Sequence, residues 1–66
     1  MTIAEKIKFA RKKMFLSQEA MARELDISFA TLNRWENSKY EPGLKAQKAF
    51  HEFCVKHNIE FKEGGE

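Results

Sequence analysis

The chain has 66 residues, which is enough for one small domain with a single modest core. Twelve Lys and Arg against ten Asp and Glu give a formal net charge of +2, and most basic residues precede an acidic tail that begins after Asn58. One cysteine excludes an internal disulfide, and no apolar run is long enough for a signal peptide or a membrane span, so we expect a cytoplasmic protein.

The first predicted helix begins at a capping box. Thr2 is followed three residues later by Glu5, which places the helix start near Ile3. Apolar residues then recur at spacings of four, three and four as far as Met14. This stripe predicts an amphipathic first helix that ends near Met14.

Residues 17–37 contain two short apolar patterns of helical spacing, separated by a break. Ser17 and Ser28 are suitable N-caps for the two helices. Only three residues lie between Glu24 and Ser28, so one of them must adopt a left-handed backbone, and Asp26 tolerates it best. The stretch therefore predicts a helix-turn-helix, with helices at about 18–25 and 29–37.

A fourth helix is predicted after a loop at residues 39–43, because Pro42 prevents a helix from running through that loop. It should begin near Leu44 and end near Asn58, a plausible left-handed cap. Its inward face is predicted to carry Leu44, Gln47, Phe50, Cys54 and His57. The alternating segment at residues 59–61 either folds back on the core or pairs with a second subunit.

The motif resembles the DNA-binding motif of the phage repressor/Cro (Xre-type) family. The matching residues are Gln18, Ala22, Leu25, Ile27, Leu32, Trp35, Glu36, Asn37 and Lys39. Asp26 and Ser38 stand where the family has glycine, and both tolerate turns. The resemblance extends more loosely over residues 2–56. It implies an all-α, compact four-helix, lambda-repressor-like DNA-binding domain over residues 1–58, with a recognition helix at about 28–37 and a C-terminal tail at 59–66.

The resemblance also implies roles for residues of the recognition helix, which in such proteins lies in the major groove of double-stranded DNA. The base-contact positions correspond to Phe29, Ala30, Asn33 and Arg34. Arg34 can bond guanine, Asn33 can bond adenine, and Phe29 can contact thymine methyl groups. The alternatives are a phosphate contact by Arg34, a solvated Asn33 and packing of Phe29 on a neighbouring loop.

Two further sets of residues follow from the motif. Phosphate contacts are expected where the DNA backbone should pass, at Gln18, Thr31, Asn37, Ser38, Lys39, Tyr40 and Lys45. The family pattern pairs an arginine of helix 1 with the glutamate after the recognition helix, here Arg11 with Glu36. The family often has glycine where Phe15 stands, so we expect a less regular end to helix 1.

These features predict a small transcriptional regulator, most simply a dimeric repressor on a near-palindromic operator, with no cofactor, metal or enzymatic activity. His51, Cys54 and His57 are spaced for metal ligands, but a core cysteine with two surface histidines suits the pattern better. The main alternative is a protein-interaction module, an antitoxin or a transcriptional adaptor, that uses the same scaffold to bind a protein partner.

Overall fold

The computed structural model of the chain describes residues 1–61, which form four α-helices and no strand. The helices are α1 (Ile3–Lys13), α2 (Gln18–Leu25), α3 (Phe29–Glu36) and α4 (Leu44–Lys56). The predicted all-α, four-helix architecture is confirmed. The third helix is one residue shorter than predicted, because Asn37 is already its C-cap. No helix within residues 1–61 is long and apolar enough to cross a membrane.

The first three helices begin at side-chain caps, as the sequence predicts. The Glu5 backbone N–H donates to Thr2 Oγ1 at 3.2 Å, and the Thr2 N–H donates to Glu5 Oε1 at 2.9 Å, which completes the capping box. The Ser17 and Ser28 hydroxyls each accept a backbone N–H from three residues further on, at 3.1 Å. These bonds satisfy N–H groups that have no partner within the helix.

All four helices end in the same way, with a non-glycine residue in the left-handed region. These residues are Phe15, Asp26, Ser38 and Asn58, with φ of 57°, 58°, 61° and 57°. After each, a backbone N–H returns to a carbonyl five residues earlier, as in a Schellman motif. The left-handed turn at Asp26 is confirmed, and so is the cap at Asn58. The expectation of a less regular end at Phe15 is wrong, since the hydrogen bonds alone close the helix regularly there.

All four helices contribute to one core, and its most deeply buried large side chains lie where α1, α2 and α3 meet. Ile7, Met21 and Leu32, one from each of these helices, are fully buried. The helix α1 packs against α3, and α2 packs against both α3 and α4. The buried residues of α4 are Phe50, Phe53 and Cys54, and in its first turn Ala46 packs partly against the core. The prediction for Leu44 is wrong, since Leu44 is 85% exposed.

The segment after α4 folds back on the core. Ile59 is buried, and the Phe61 ring lies 5.6 Å from the Phe9 ring and 6.2 Å from the Phe50 ring, centroid to centroid. Of the predicted tail at 59–66, residues 62–66 lie outside the described residues. The described part of the tail is therefore integral to the packing of this chain.

Candidate DNA-binding surface

A buried carboxylate holds the helix-turn-helix to α1. Glu36 is only 3% exposed, at the end of α3. Arg11 of α1 donates from Nε and Nη2 to the two Glu36 oxygens, at 2.8 and 3.0 Å, and Gln18 Nε2 donates to Glu36 Oε1 at 3.0 Å. Three charge-assisted donors on one carboxylate fix α1, α2 and α3 relative to one another.

The hydrogen bonds continue from this carboxylate along α3. Asn33 Nδ2 donates to Gln18 Oε1 at 3.3 Å, and Asn37 Nδ2 donates to Asn33 Oδ1 at 2.9 Å. The start of α2 is thereby tied to the exposed side of α3. Each amide nitrogen carries two N–H groups, so Asn33 and Asn37 retain donors for a ligand.

Sequence reasoning missed these amide contacts. The family resemblance supplied the pair of Arg11 and Glu36, but the third donor, Gln18, was assigned to phosphate alone. A glutamine at the start of α2 is itself part of the family pattern, and this was the available signal for a structural role.

A recess opens on the exposed side of α3 and holds all four residues predicted to contact bases. Its volume is about 490 Å³, and it is lined by Phe29, Ala30, Asn33, Arg34, Lys39 and Tyr40. Phe29 is 48% exposed and Tyr40 is 64% exposed. The Arg34 guanidinium carbon lies 5.9 Å from the centroid of the Tyr40 ring, within cation–π range. The recess therefore combines an apolar wall with a planar donor group.

The residues predicted to contact phosphate are spread around this recess. Lys39 and Tyr40 line it, whereas Lys45 lies exposed on the first turn of α4. The Thr31 hydroxyl accepts from the Ser28 hydroxyl at 2.9 Å, so it also completes the cap of α3. Gln18 stands at the first position of α2, where free backbone N–H groups favour an anion.

The chain's cysteine belongs to the core. Burial raises the pKa of the Cys54 thiol, and the positive charge of Lys6 lowers it to a smaller extent. A buried thiol with a raised pKa is a poor nucleophile. His51 is exposed, and within residues 1–61 no three His, Cys, Asp or Glu side chains are grouped to hold a metal ion.

Two short helices joined at a left-handed turn, with a donor-rich exposed face on the second, define a helix-turn-helix domain. A family model described as helix-turn-helix matches residues 7–48, more than half of the chain. The chain belongs to this family, the Cro/C1-type or Xre helix-turn-helix proteins, a DNA-binding regulatory family, and its fold is lambda-repressor-like. Searches of curated proteins and of solved structures found no significant match.

Proposed function

We propose that this protein binds double-stranded DNA sequence-specifically, with α3 in the major groove, and acts as a small transcriptional repressor. The observation that carries the proposal is the recess on α3, which both Arg34 and the exposed Phe29 line. Arginine can donate two hydrogen bonds to guanine O6 and N7, and an apolar side chain can contact a thymine methyl group. Both groups are exposed on the helix that this class of protein inserts into DNA.

The contacts to the DNA phosphate backbone would lie on both sides of the bases that the recess reads. Gln18 begins α2, and Lys39 follows α3. Such contacts position a protein on the duplex without reading its sequence. The hydrogen bonds from Gln18 to Glu36 and Asn33 support this arrangement, because they hold the start of α2 against α3.

The protein would act as a dimer on a near-palindromic site, with half-sites about 34 Å apart. Ile59 is buried in its own chain and is unavailable as a dimer contact. The dimer contact would instead be made by Val55 of α4, which is exposed, and by Phe9 and Phe61, which are partly exposed. Gel filtration and DNA titration that both give one protomer per site would contradict the dimer.

Selection from a random DNA pool tests the proposed function. Binding at about 150 mM salt should enrich a two-fold symmetric motif, because specific contacts survive salt that weakens phosphate contacts. Arg34→Ala should lose the preference at one position per half-site, by roughly 1–3 kcal/mol of discrimination. The matched control is Arg23→Ala, an exposed arginine on the last turn of α2 outside the recess, and it should keep the motif.

The contrary result is weak, salt-sensitive binding without enrichment. It would contradict sequence-specific recognition and favour the protein-interaction module, either an antitoxin or an adaptor. In that case Arg34→Ala would leave binding to the protein partner intact.

A further inference from the structure

The recess on α3 has a composition that phosphate binding does not account for. Lys39 and Arg34 could serve a phosphate, but the side chain of Phe29 has no donor or acceptor to offer one. Phe29 is nonetheless 48% exposed at the first position of α3, where the helix would meet base edges. A ring exposed at this place would gain from contact with an apolar feature of the DNA, because the contact removes apolar surface from water.

The major groove offers one apolar feature that projects from the base edges. This is the methyl group at C5 of a pyrimidine, which thymine carries and unmodified cytosine lacks. The other base-edge groups that distinguish the four base pairs are hydrogen-bond donors and acceptors. Phe29 is therefore matched to a 5-methyl group, and Arg34 in the same recess is matched to guanine O6 and N7.

The recess brings these two functions to one side of α3. Arg34 and Phe29 both line it, its volume is about 490 Å³, and the Tyr40 ring lies 5.9 Å from the guanidinium carbon of Arg34. A cation–π contact of this kind restricts the guanidinium and favours one orientation of its donors. Five residues of helix span about 7.5 Å along the axis, so Phe29 and Arg34 should contact base pairs about one or two steps apart.

We propose that this recess reads a guanine together with a 5-methylpyrimidine one or two base pairs away, so that 5-methylcytosine serves as well as thymine. The proposal rests on the proposed function, and it adds a response to cytosine methylation. Arg34 binds the guanine, Phe29 contacts the methyl group, and Tyr40 positions Arg34. Methylation of a cytosine at that step would strengthen binding, because it supplies the methyl group that thymine would otherwise bring.

The test uses the whole protein and the DNA motif obtained by selection. The guanine is the one whose preference Arg34→Ala loses, and the two base pairs on either side of it are varied one at a time. Duplexes carrying thymine or uracil differ by one methyl group, and so do duplexes carrying 5-methylcytosine or cytosine. At one of these positions the methylated member of each pair should bind about fourfold more tightly, the factor that corresponds to burial of one methyl group.

Two variants assign the effect to the recess. Phe29→Ala should bring both ratios close to one, and circular dichroism should show that this exposed substitution leaves the fold intact. Phe15→Ala is the matched control, since it also removes an exposed phenylalanine but lies outside the recess, and it should keep the fourfold ratios.

The outcomes separate this proposal from the one on which it rests. Ratios close to one in both pairs at every position varied, or ratios that persist in Phe29→Ala, would overturn methyl reading while sequence-specific binding stands. A protein that selects no motif from the pool would overturn both proposals.

Discussion

Replacing Glu36 with alanine should destabilise the protein more than any change to its surface. The carboxylate is 3% exposed and accepts three hydrogen bonds, two of them from Arg11. Its removal leaves the Arg11 guanidinium without its ion partner, and breaking a buried pair on one side costs about 3–5 kcal/mol. The Arg11 side chain is 17% exposed, so water recovers part of this cost and we expect about 3 kcal/mol.

That loss is large for a chain of this size. A domain of 66 residues has a total stability of only about 3–10 kcal/mol. A loss of about 3 kcal/mol should lower the midpoint of thermal unfolding by more than about 12 °C. Thermal and urea unfolding followed by circular dichroism would measure it.

Two controls make this experiment decisive. Glu41→Ala removes an exposed glutamate from the loop before α4 and should change stability by less than about 0.5 kcal/mol. The double variant Arg11→Met with Glu36→Leu replaces both charges by apolar groups and should recover at least about 1 kcal/mol over Glu36→Ala. A loss below about 1 kcal/mol in Glu36→Ala would refute the reasoning, because the carboxylate would then contribute no more than one ordinary hydrogen bond.

Three further predictions concern local features. Phe15→Gly should raise stability by about 1 kcal/mol, because Phe15 is 95% exposed at φ 57° and glycine relieves its left-handed strain; an unchanged melting temperature would contradict this. Ser28→Ala should cost about 1 kcal/mol through loss of the cap of α3, whereas Ser28→Gly should cost only a few tenths; equal effects of the two would exclude capping as the cause. Cys54 should react with a thiol reagent at about pH 8 at least tenfold more slowly in the native protein than in concentrated urea, since burial raises its pKa and reduces the thiolate fraction; equal rates would show that the thiol is accessible.

The features that the sequence predicted well are those fixed by neighbouring residues. The capping box at Thr2 and the serine caps depend on residues three positions away, and the turn at Asp26 depends on the spacing between two helices. Local hydrogen bonds of this kind are nearly independent of the rest of the fold. The family resemblance then supplied the one long-range ion pair that was predicted, Arg11 with Glu36.

The features that were missed depend on packing between distant segments. Leu44 has the right spacing for an inward face, but in the first turn of α4 it is Ala46 that packs against the core, and Leu44 is exposed. Gln18 and Asn33 lie fifteen residues apart in the chain, and only the crossing of α2 and α3 brings their amides together. The regular helix end at Phe15 was missed because residue preference favours glycine there, while the backbone hydrogen bonds that close the helix override that preference.

The central claim is that α3 and the residues beside it meet DNA, and an amide spectrum of the isotope-labelled protein tests it most directly. Titration with the selected duplex should shift the resonances of residues 28–40 and of Ser17 and Gln18, at the start of α2. Resonances around Arg23, on the last turn of α2, should move little, because this exposed residue lies outside both the recess and the proposed dimer contact. Shifts confined to α4 and to residues 59–61, with α3 unchanged, would contradict the account.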